Sequence, residues 1–392
     1  MAKKKTKKKT TKKKSTAKKA TTKNSNSKPS KKAKTADKKS KAKKKTTEKT
    51  DKNLARKATA SLKFNGKKVS VINEYLESVS YTDVASGGSD SMTIRMHNID
   101  AKWVNGWYPK KGSTVSGSLK FANWNNDGEA PTVSCGTLTL DDIKINFSPK
   151  TAEFSCVSEP ASESFRVREQ KKTWEKVTIK KVAQQICSRY KMKLSYSGPE
   201  IKINEMEQSG DDCSFLSGLC ETYGLGMKIY KNKIVIYDQS ALEEKKSIKT
   251  LALASFVDQE LSITDGIYGT YTGAKVTYKP AKAKKNISVY VGLKKENAKG
   301  SRIIRINESC ASEGDARRKG AAKVNLSNMK ETVLSGSLFP DPKIVAGVCV
   351  YLGKEFGKLK GKYFVDKVTW ELGGSGTSQR IEAHKVQKKV KV

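Results

Sequence analysis

The side chains of this sequence that could perform chemistry are two histidines and two pairs of adjacent carboxylates. A histidine beside a carboxylate can take up and release a proton near neutral pH. His97 and His384 are remote from each other in sequence, and each falls in a segment that reads as a strand, so we interpret both as structural. We interpret Asp141-Asp142 as strand-edge residues and Asp211-Asp212 as the start of a helix. These residues therefore do not predict an acid–base site.

The cysteines are also potential ligands or nucleophiles. Their number is odd and no two of them form a C-x-x-C pair, which favours reduced thiols in hydrophobic cores over a disulfide framework or a zinc site. The sequence lacks the G-x-S-x-G, H-E-x-x-H and G-x-x-x-x-G-K-[ST] motifs. We predict that the chain is not an enzyme and has no catalytic residue, cofactor or metal. The cysteines are Cys135, Cys156, Cys187, Cys213, Cys220, Cys310 and Cys349.

A basic segment opens the chain. From Met1 to Asn53 there are 24 lysines and three acidic residues, a net charge of +21 out of +40 for the whole chain. Without aromatic or large apolar residues after Met1, this segment cannot bury enough surface to offset its chain entropy, so we predict that residues 1–57 are disordered. Its expected partner is a polyanion, and the alternative is a solvated tail without a specific partner. The predicted polyanion-binding residues are Lys3, Lys4, Lys5, Lys7, Lys8, Lys9, Lys12, Lys13 and Lys14.

Targeting and membrane signals are not predicted. The basic start is not followed by an apolar h-region, and no run of about 18 apolar residues occurs.

The residues after the basic segment number about 335, enough for two or three domains with ordinary cores.

The stretch 58–160 has the pattern of a β-rich domain. Residues 91–97, "SMTIRMH", alternate between polar and apolar side chains, which is the period of a strand with one buried face. Polar turn clusters separate several further alternating segments, a pattern typical of a sandwich or a barrel. These segments are "VSGSLKF", "CGTLTLDD" and "AEFSCVS".

The stretch 161–249 changes to a helical period and predicts a small α+β module. One helix is expected to begin at Thr178 as N-cap, and a second at Asp211 or Asp212, with Phe215 in its buried face and Gly224 at its left-handed C-cap. "MKIYKNKIVIYD" then predicts a hairpin that turns near residues 231–232.

The stretch 250–392 returns to strands and contains one predicted helix, in which Ser312 and Asp315 have capping-box spacing. Near its end, "GKYFVDKVTWEL" (361–372) aligns without a gap to "GTLTLDDIKINF" (136–147), and each segment precedes a turn and a returning strand. We interpret this as an internal repeat, so that the first and third stretches have the same fold and the α+β module is inserted between them.

The order of motifs along residues 58–388 resembles the phage late control gene D family, the tail hub proteins of contractile phages, phage-like bacteriocins and related injection machines. The motifs that carry the resemblance are "FNGKKVSVINEYLESVSYTDVASGGSDSMTIRM", "WYPKKGSTVSGSLKF", "CGTLTLDDIKINFSP", "KKTWEKVTIKKVAQQICSRYKMKLSYSG", "QSGDDCSFLSGLCETYGLGMKIYKNKIVIYD", "EGDARRKGAAKVNL" and "GKYFVDKVTWELGGSGTSQRIEAHKV". The fold implied is mainly β with an α+β insertion: two similar tail-tube-like β-barrel domains flanking the module, after the basic tail.

The function implied by the resemblance is a structural hub in the tail or baseplate of a virion or phage-like particle, assembled in the bacterial cytoplasm. The expected partners are two further copies in a homotrimer, the sixfold tail tube protein, the threefold central spike protein and other baseplate components. The basic tail is not part of the family pattern. The alternative functions are a nucleic-acid-binding protein acting through its lysine-rich tail and a module that binds glycan without hydrolysing it.

Overall fold

The computed structural model describes residues 54–68, 72–159, 165–166, 168–230, 232–257, 260–279, 286–374 and 376–392. The chain divides into two units, Met1–Asp51 and Lys52–Val392, and all described residues belong to the second unit. The predicted disordered tail therefore lies, almost to its end, outside the described residues. Within the described part, the first strand begins at Lys57.

The first stretch of the described chain consists of strands and one helical turn. Its elements are β1 (Lys57–Phe64), β2 (Lys67–Lys68), α1 (Ile72–Tyr75), β3 (Leu76–Val84), β4 (Gly88–Ser89), β5 (Ser91–His97), a 3-10 turn (Lys102–Val104), β6 (Thr114–Ala122), β7 (Thr132–Phe147) and β8 (Lys150–Val157). The alternation in residues 91–97 is confirmed as a strand whose apolar side chains are buried.

The second stretch is the predicted α+β module. Its elements are β9 (Lys172–Thr178), α2 (Ile179–Arg189), β10 (Lys193–Ser197), β11 (Lys202–Gln208), α3 (Asp212–Thr222), β12 (Leu225–Tyr230), β13 (Lys233–Asp238) and α4 (Gln239–Glu244). The side chains of Thr178 and Asp211 accept the predicted N-cap hydrogen bonds, and Gly224 has the predicted positive φ of 71°. Phe215 is only half-buried, and its ring stacks on that of Trp174 at 6.4 Å between centroids.

The third stretch contains the remaining strands and the longest described helix. Its elements are β14 (Lys249–Leu251), a 3-10 turn (Leu253–Ser255), β15 (Ser262–Asp265), β16 (Gly273–Tyr278), β17 (Ile287–Gly292), β18 (Ile303–Asn307), α5 (Glu313–Asn328), β19 (Thr332–Leu338), β20 (Cys349–Leu352), a 3-10 segment (Lys354–Leu359), β21 (Gly361–Gly373) and β22 (Gly376–Lys385). Ser312 is the N-cap of α5 and accepts from the Asp315 N–H, as predicted.

One large sheet joins the two β-rich stretches. Its strands follow the order β15-β19-β22-β21-β3-β5-β8-β7-β6-β1-β2, with β20 beside β21 and β14 beside β20. The link is β21 against β3, and one hydrophobic cluster contains side chains from both stretches, such as Phe121 and Trp370 at 5.2 Å between ring centroids. The two β-rich stretches therefore share a core.

The other sheets are smaller. The α+β module has its own hydrophobic cluster beneath α2 and α3, and its sheet β10-β13-β12 is extended by β4 from the first stretch. The sheet β17-β16-β18 packs against α5. The predicted fold class is confirmed: the chain is mainly β, with an α+β module between two β-rich stretches.

Candidate assembly interface

The internal repeat consists of two equivalent bulged hairpins, β7–β8 and β21–β22. The pairing register shifts at Asp141 in the first hairpin and at Asp366 in the second. These are the two aspartates that the alignment of 136–147 with 361–372 matches. Since a bulge adds one residue to a strand and bends it, both hairpins bend at the same place.

The backbone just before each bulge is also hydrogen-bonded in the same way. Leu140 bonds through its N–H and its carbonyl to residues 112–113, with both distances 2.8 Å. Val365 makes the equivalent pair of bonds to residues 347–348, at 2.8 and 2.9 Å. In each case the first partner residue is a glycine with a positive φ, 79° and 89°, a conformation that favours glycine.

A second matching pair of segments lies three strands away from each bulge. When the strand pairings are followed outward from Leu140 and from Val365, residues 79–83 of β3 and residues 261–265 around β15 take equivalent places. Their sequences are "VSYTD" and "LSITD". The repeat therefore covers an ordered set of strands, not one hairpin.

The two repeats meet where β21 pairs with β3. Beyond its bulge, β21 runs antiparallel to β3 from Lys367 to Gly373, and Trp370 lies opposite Tyr81. The Ala85 N–H donates to the Asp366 carbonyl at 2.7 Å and so begins the pairing at the bulge itself. The apolar side chains of β21 after the bulge are all buried at this junction: Val368, Trp370 and Leu372.

The equivalent half of β7 has an open edge. Its apolar side chains, Ile143, Ile145 and Phe147, occupy the places of the three buried residues of β21, but the first two are half-buried and Phe147 is 77% exposed. Within the described part of the chain, residues 142–147 pair with β8 on one side and with no strand on the other. The strand β15 likewise pairs only with β19 there.

Charged side chains join the α+β module to the junction strand β3. The Lys228 ammonium on β12 lies 2.5 Å from an Asp83 oxygen and 3.1 Å from an Asp90 oxygen, and the Tyr81 hydroxyl donates to Asp90 at 3.1 Å. Burial raises the pKa of Asp90, although Lys228 opposes the shift. Burial lowers the pKa of Lys228, but Asp83 and Asp90 outweigh burial and raise it overall.

A buried histidine cluster lies beside the second bulge. His384 Nδ1 is 2.8 Å from an Asp366 carboxylate oxygen, and its Nε2 is 3.4 Å from Glu243 of α4. Burial lowers the pKa of His384, but the two carboxylates outweigh burial and raise it to about 9. Burial raises the pKa of Glu243, but His384 and Lys389 outweigh burial and lower it to about 2. The cluster ties α4 and the C-terminal segment to β22.

The residues singled out from the sequence are placed as follows. His97 ends β5, with Nε2 2.9 Å from the Glu74 carbonyl, three strands away from β22, which carries His384. Asp212 is buried in the module, where the Tyr190 hydroxyl donates to it at 2.6 Å. All seven cysteines are buried, as predicted. The nine lysines predicted to bind a polyanion, from Lys3 to Lys14, lie outside the described residues.

Among the described residues, histidine, cysteine and carboxylate side chains do not gather into a group of three that could hold a metal ion. No helix of the described ranges has the length and apolar character of a membrane span.

Several charged residues at the β3 junction and in the His384 cluster were not identified from the sequence. Asp83, Lys228 and Glu243 are charged residues whose partners lie far away in the chain, so their surroundings gave no local signal. The match of "VSYTD" with "LSITD" was the available signal for the second pair of edges.

Two of the solved structures that are similar to this chain are tail proteins. The 43 kDa tail protein of prophage MuSo2 from Shewanella oneidensis is similar with a TM-score of 0.63 and 12% identity, over 84% of this chain and 98% of that one. A tail protein from Neisseria meningitidis MC58 is similar with a TM-score of 0.62 and 10% identity, over 84% and 96%. This chain has the fold of a phage tail protein.

A component of the E. coli type VI secretion system, itself similar to T4 bacteriophage tail proteins, is also similar, with a TM-score of 0.51 and 12% identity over 83% of this chain and 77% of that one. The sequence matches no protein-family model and no curated protein. The resemblance to phage tail proteins that the sequence predicted is thus confirmed at the level of the fold. The similar structures share this fold at low sequence identity.

Proposed function

We propose that the chain is a structural component of a phage tail or a phage-like injection particle, and that within it the chain is the baseplate hub. As a homotrimer, the hub would join the sixfold tail tube to the threefold central spike. Its direct partners would be the tube protein, the spike protein and other baseplate components. The role is one of assembly and requires no catalytic group.

One observation carries the proposal: two equivalent repeats lie side by side in one sheet of a single chain. Three chains with two repeats each supply six similar units, while the assembly keeps threefold symmetry. Closed rings are the usual form of symmetric oligomers. A trimer of this chain can therefore match a sixfold tube on one face and a threefold spike on the other.

The domain organisation follows the same proposal. Residues 58–160 and 250–392 would be the two tube-like domains, and residues 161–249 would be a module inserted between them. The chain would be located in the tail or baseplate of a particle assembled in the bacterial cytoplasm. The similar tail proteins and the secretion-system component support this location.

The runner-up function is nucleic-acid binding through the basic tail. The observation that favours it is the net charge of +21 between Met1 and Asn53, because such a segment binds polyanions without reading bases. In this reading the folded part of the chain would be a scaffold for the tail.

Mass measurement of the full chain and of a variant lacking residues 1–53 separates the two functions. The hub predicts the mass of three chains for both proteins at micromolar concentration, and threefold particles with six lobes by electron microscopy. A monomeric body that binds DNA only when the tail is present would support the runner-up and contradict the hub.

A further inference from the structure

Among the open sheet edges of the described residues, two correspond to each other through the internal repeat, which shows what each of them fits. The edge of β7 beyond its bulge is equivalent to the edge of β21, which is covered by β3 in the same chain. The edge of β15 is equivalent to the edge of β3, which covers β21. The covered pair and the open pair are therefore two copies of one contact, the second of which lacks its partner strand within the described residues.

We infer that β15 of one chain pairs antiparallel with the end of β7 in a second copy of the chain, in the register of β3 on β21. The inference rests on the proposed hub and names the contact that would close its ring. Transferring the register gives three pairs between chains: Lys144 opposite Thr264, Ile145 opposite Ile263, and Phe147 opposite Leu261. They reproduce Thr369 opposite Thr82, Trp370 opposite Tyr81, and Leu372 opposite Val79.

Burial supports this occupant. Trp370 and Leu372 are buried by the neighbouring repeat, and Phe147, in the place of Leu372, is 77% exposed. A long open edge that carries exposed apolar side chains is a template for strand addition. An added strand from a second copy would bury Ile145 and Phe147 in the way that β3 buries their equivalents.

The loop after β15 supports the same contact. Ala85, which follows β3, is buried and donates from its N–H to the bulge carbonyl of Asp366. By the transferred register, Ile267 takes the place of Ala85 and would donate to the bulge carbonyl of Asp141 in the second copy. Ile267 is 65% exposed and the adjacent Tyr268 is fully exposed, so the contact would also cover this apolar loop.

The contact is heterologous, because one edge of the chain meets the other edge of the next copy. Such contacts form a closed ring when the rotation from one unit to the next returns to the start. The contact within the chain and the contact between chains would be equivalent, so every repeat of the ring would have the same neighbours.

A cysteine cross-link tests the register. Lys144→Cys and Thr264→Cys place thiols on two exposed residues, and the equivalent hydroxyl oxygens of Thr82 and Thr369 lie 3.3 Å apart. Residues directly opposite in an antiparallel pair have Cα atoms about 4.5–5.5 Å apart, which a disulfide can span. The full-length double variant is expected to form covalent dimers and trimers under mild oxidation.

Three controls sharpen the test. Lys144→Cys with Ser262→Cys is displaced by two residues, a diagonal of about 7–8 Å, and is expected to cross-link at least tenfold less. Each single variant alone should stay uncross-linked, since Lys144 does not face another Lys144, whereas a mixture of the two single variants should give dimers. The seven native cysteines are buried, so the wild-type chain should also stay uncross-linked.

The outcomes separate this inference from the proposed function. If the wild-type chain has the mass of a trimer but the Lys144/Thr264 pair does not cross-link, or cross-links no better than the displaced pair, the edge pairing is wrong and the hub stands. If the wild-type chain is a monomer, both fail. If either single variant cross-links to itself, the contact is a twofold one and the head-to-tail pairing is wrong.

Discussion

The side-chain oxygens of Thr82 and Thr369 lie 3.3 Å apart across the junction of β3 and β21, although 287 positions separate the two residues in the sequence. They belong to different β-rich stretches, which this junction makes into one sheet. The chain thus already contains one contact between two repeats. A symmetric ring would need only the same contact again between chains.

Trp370→Ala is expected to lower the free energy of unfolding by about 3–5 kcal/mol, the usual cost of removing a large aromatic side chain from a core. Trp370 is fully buried, lies opposite Tyr81 and packs against Phe121. Because these contacts reach the first β-rich stretch, both stretches should lose stability together in one denaturant transition followed by circular dichroism.

Trp370→Phe is the matched control for this prediction. The indole nitrogen of Trp370 has no hydrogen-bond partner among the described residues, so a phenyl ring keeps much of the packing and sacrifices no hydrogen bond. Trp370→Phe should therefore lower the free energy of unfolding clearly less than Trp370→Ala does. A Trp370→Ala protein in which the first stretch unfolds as in wild type would show that the shared core does not couple the two stretches.

The His384 cluster predicts how stability depends on pH. The pKa of His384 is about 9 in the folded chain and 6.5 as the reference value, so its contribution is fully present below about pH 6.5 and is lost as the pH rises through 9. The difference between these two pKa values corresponds to a contribution to the free energy of unfolding on the order of 3 kcal/mol.

The pKa of Glu243 is about 2 in the folded chain and 4.5 as the reference value. The contribution of Glu243 to stability is therefore present above about pH 4.5 and is lost as the pH falls through 2. Urea unfolding should therefore show this cluster contributing most between about pH 4.5 and 6.5. Unfolding free energy that rises between pH 6.5 and 9 would contradict the assignment.

Asp366→Asn is expected to lower the pKa of His384, because it removes the carboxylate 2.8 Å from Nδ1. The shift is measured directly by an NMR titration of the imidazole. Asp141→Asn is the control: Asp141 occupies the equivalent bulge but lies in the other hairpin, so the titration of His384 should not change. Equal shifts in the two variants would indicate an effect of the bulge itself and not of the ion pair.

Ile186→Asp is expected to prevent the α+β module from folding. Ile186 lies on the buried face of α2, within the module's hydrophobic cluster, and an unpaired buried charge costs several kcal/mol. Ile186→Val, which removes one methylene, should cost only about 0.5–1.5 kcal/mol. Thermal unfolding of the two variants measures the contrast, and a wild-type melting temperature for Ile186→Asp would mean that this face of α2 is not in the core.

Deletion of residues 1–53 is expected to leave oligomerisation unchanged and to abolish binding to a polyanion such as DNA. The segment carries a net charge of +21, and a segment that contacts 6 to 10 phosphates loses on the order of 10³ to 10⁵ in affinity between about 50 and 200 mM salt. A salt titration of DNA binding by the full-length chain checks the slope. Binding that persists at high salt, or loss of oligomers on deletion, would show that the segment makes specific contacts.

The local elements follow from the amino-acid sequence alone. Thr178, Asp211 and Ser312 mark the starts of α2, α3 and α5, since a cap depends only on residues within one turn. The strand 91–97 follows from alternation, because side chains of a strand point to opposite faces in turn. The repeat of residues 136–147 in residues 361–372 could also be recognised from the sequence, since the twelve aligned residues retain the glycine, the bulge aspartate and the apolar positions.

The pairing of strands, in contrast, follows from the folded chain as a whole. "VSYTD" and "LSITD" are too short to be distinguished from chance in a chain of 392 residues, and they become equivalent only when the pairings are followed across the sheet. The same holds for the contact of His384 with Glu243, 141 positions apart, and of Lys228 with Asp83. A sequence specifies which face of a strand is apolar, but the choice of neighbour depends on how bulges and twist bend a whole sheet, and that bending is the sum of contacts distant in the chain.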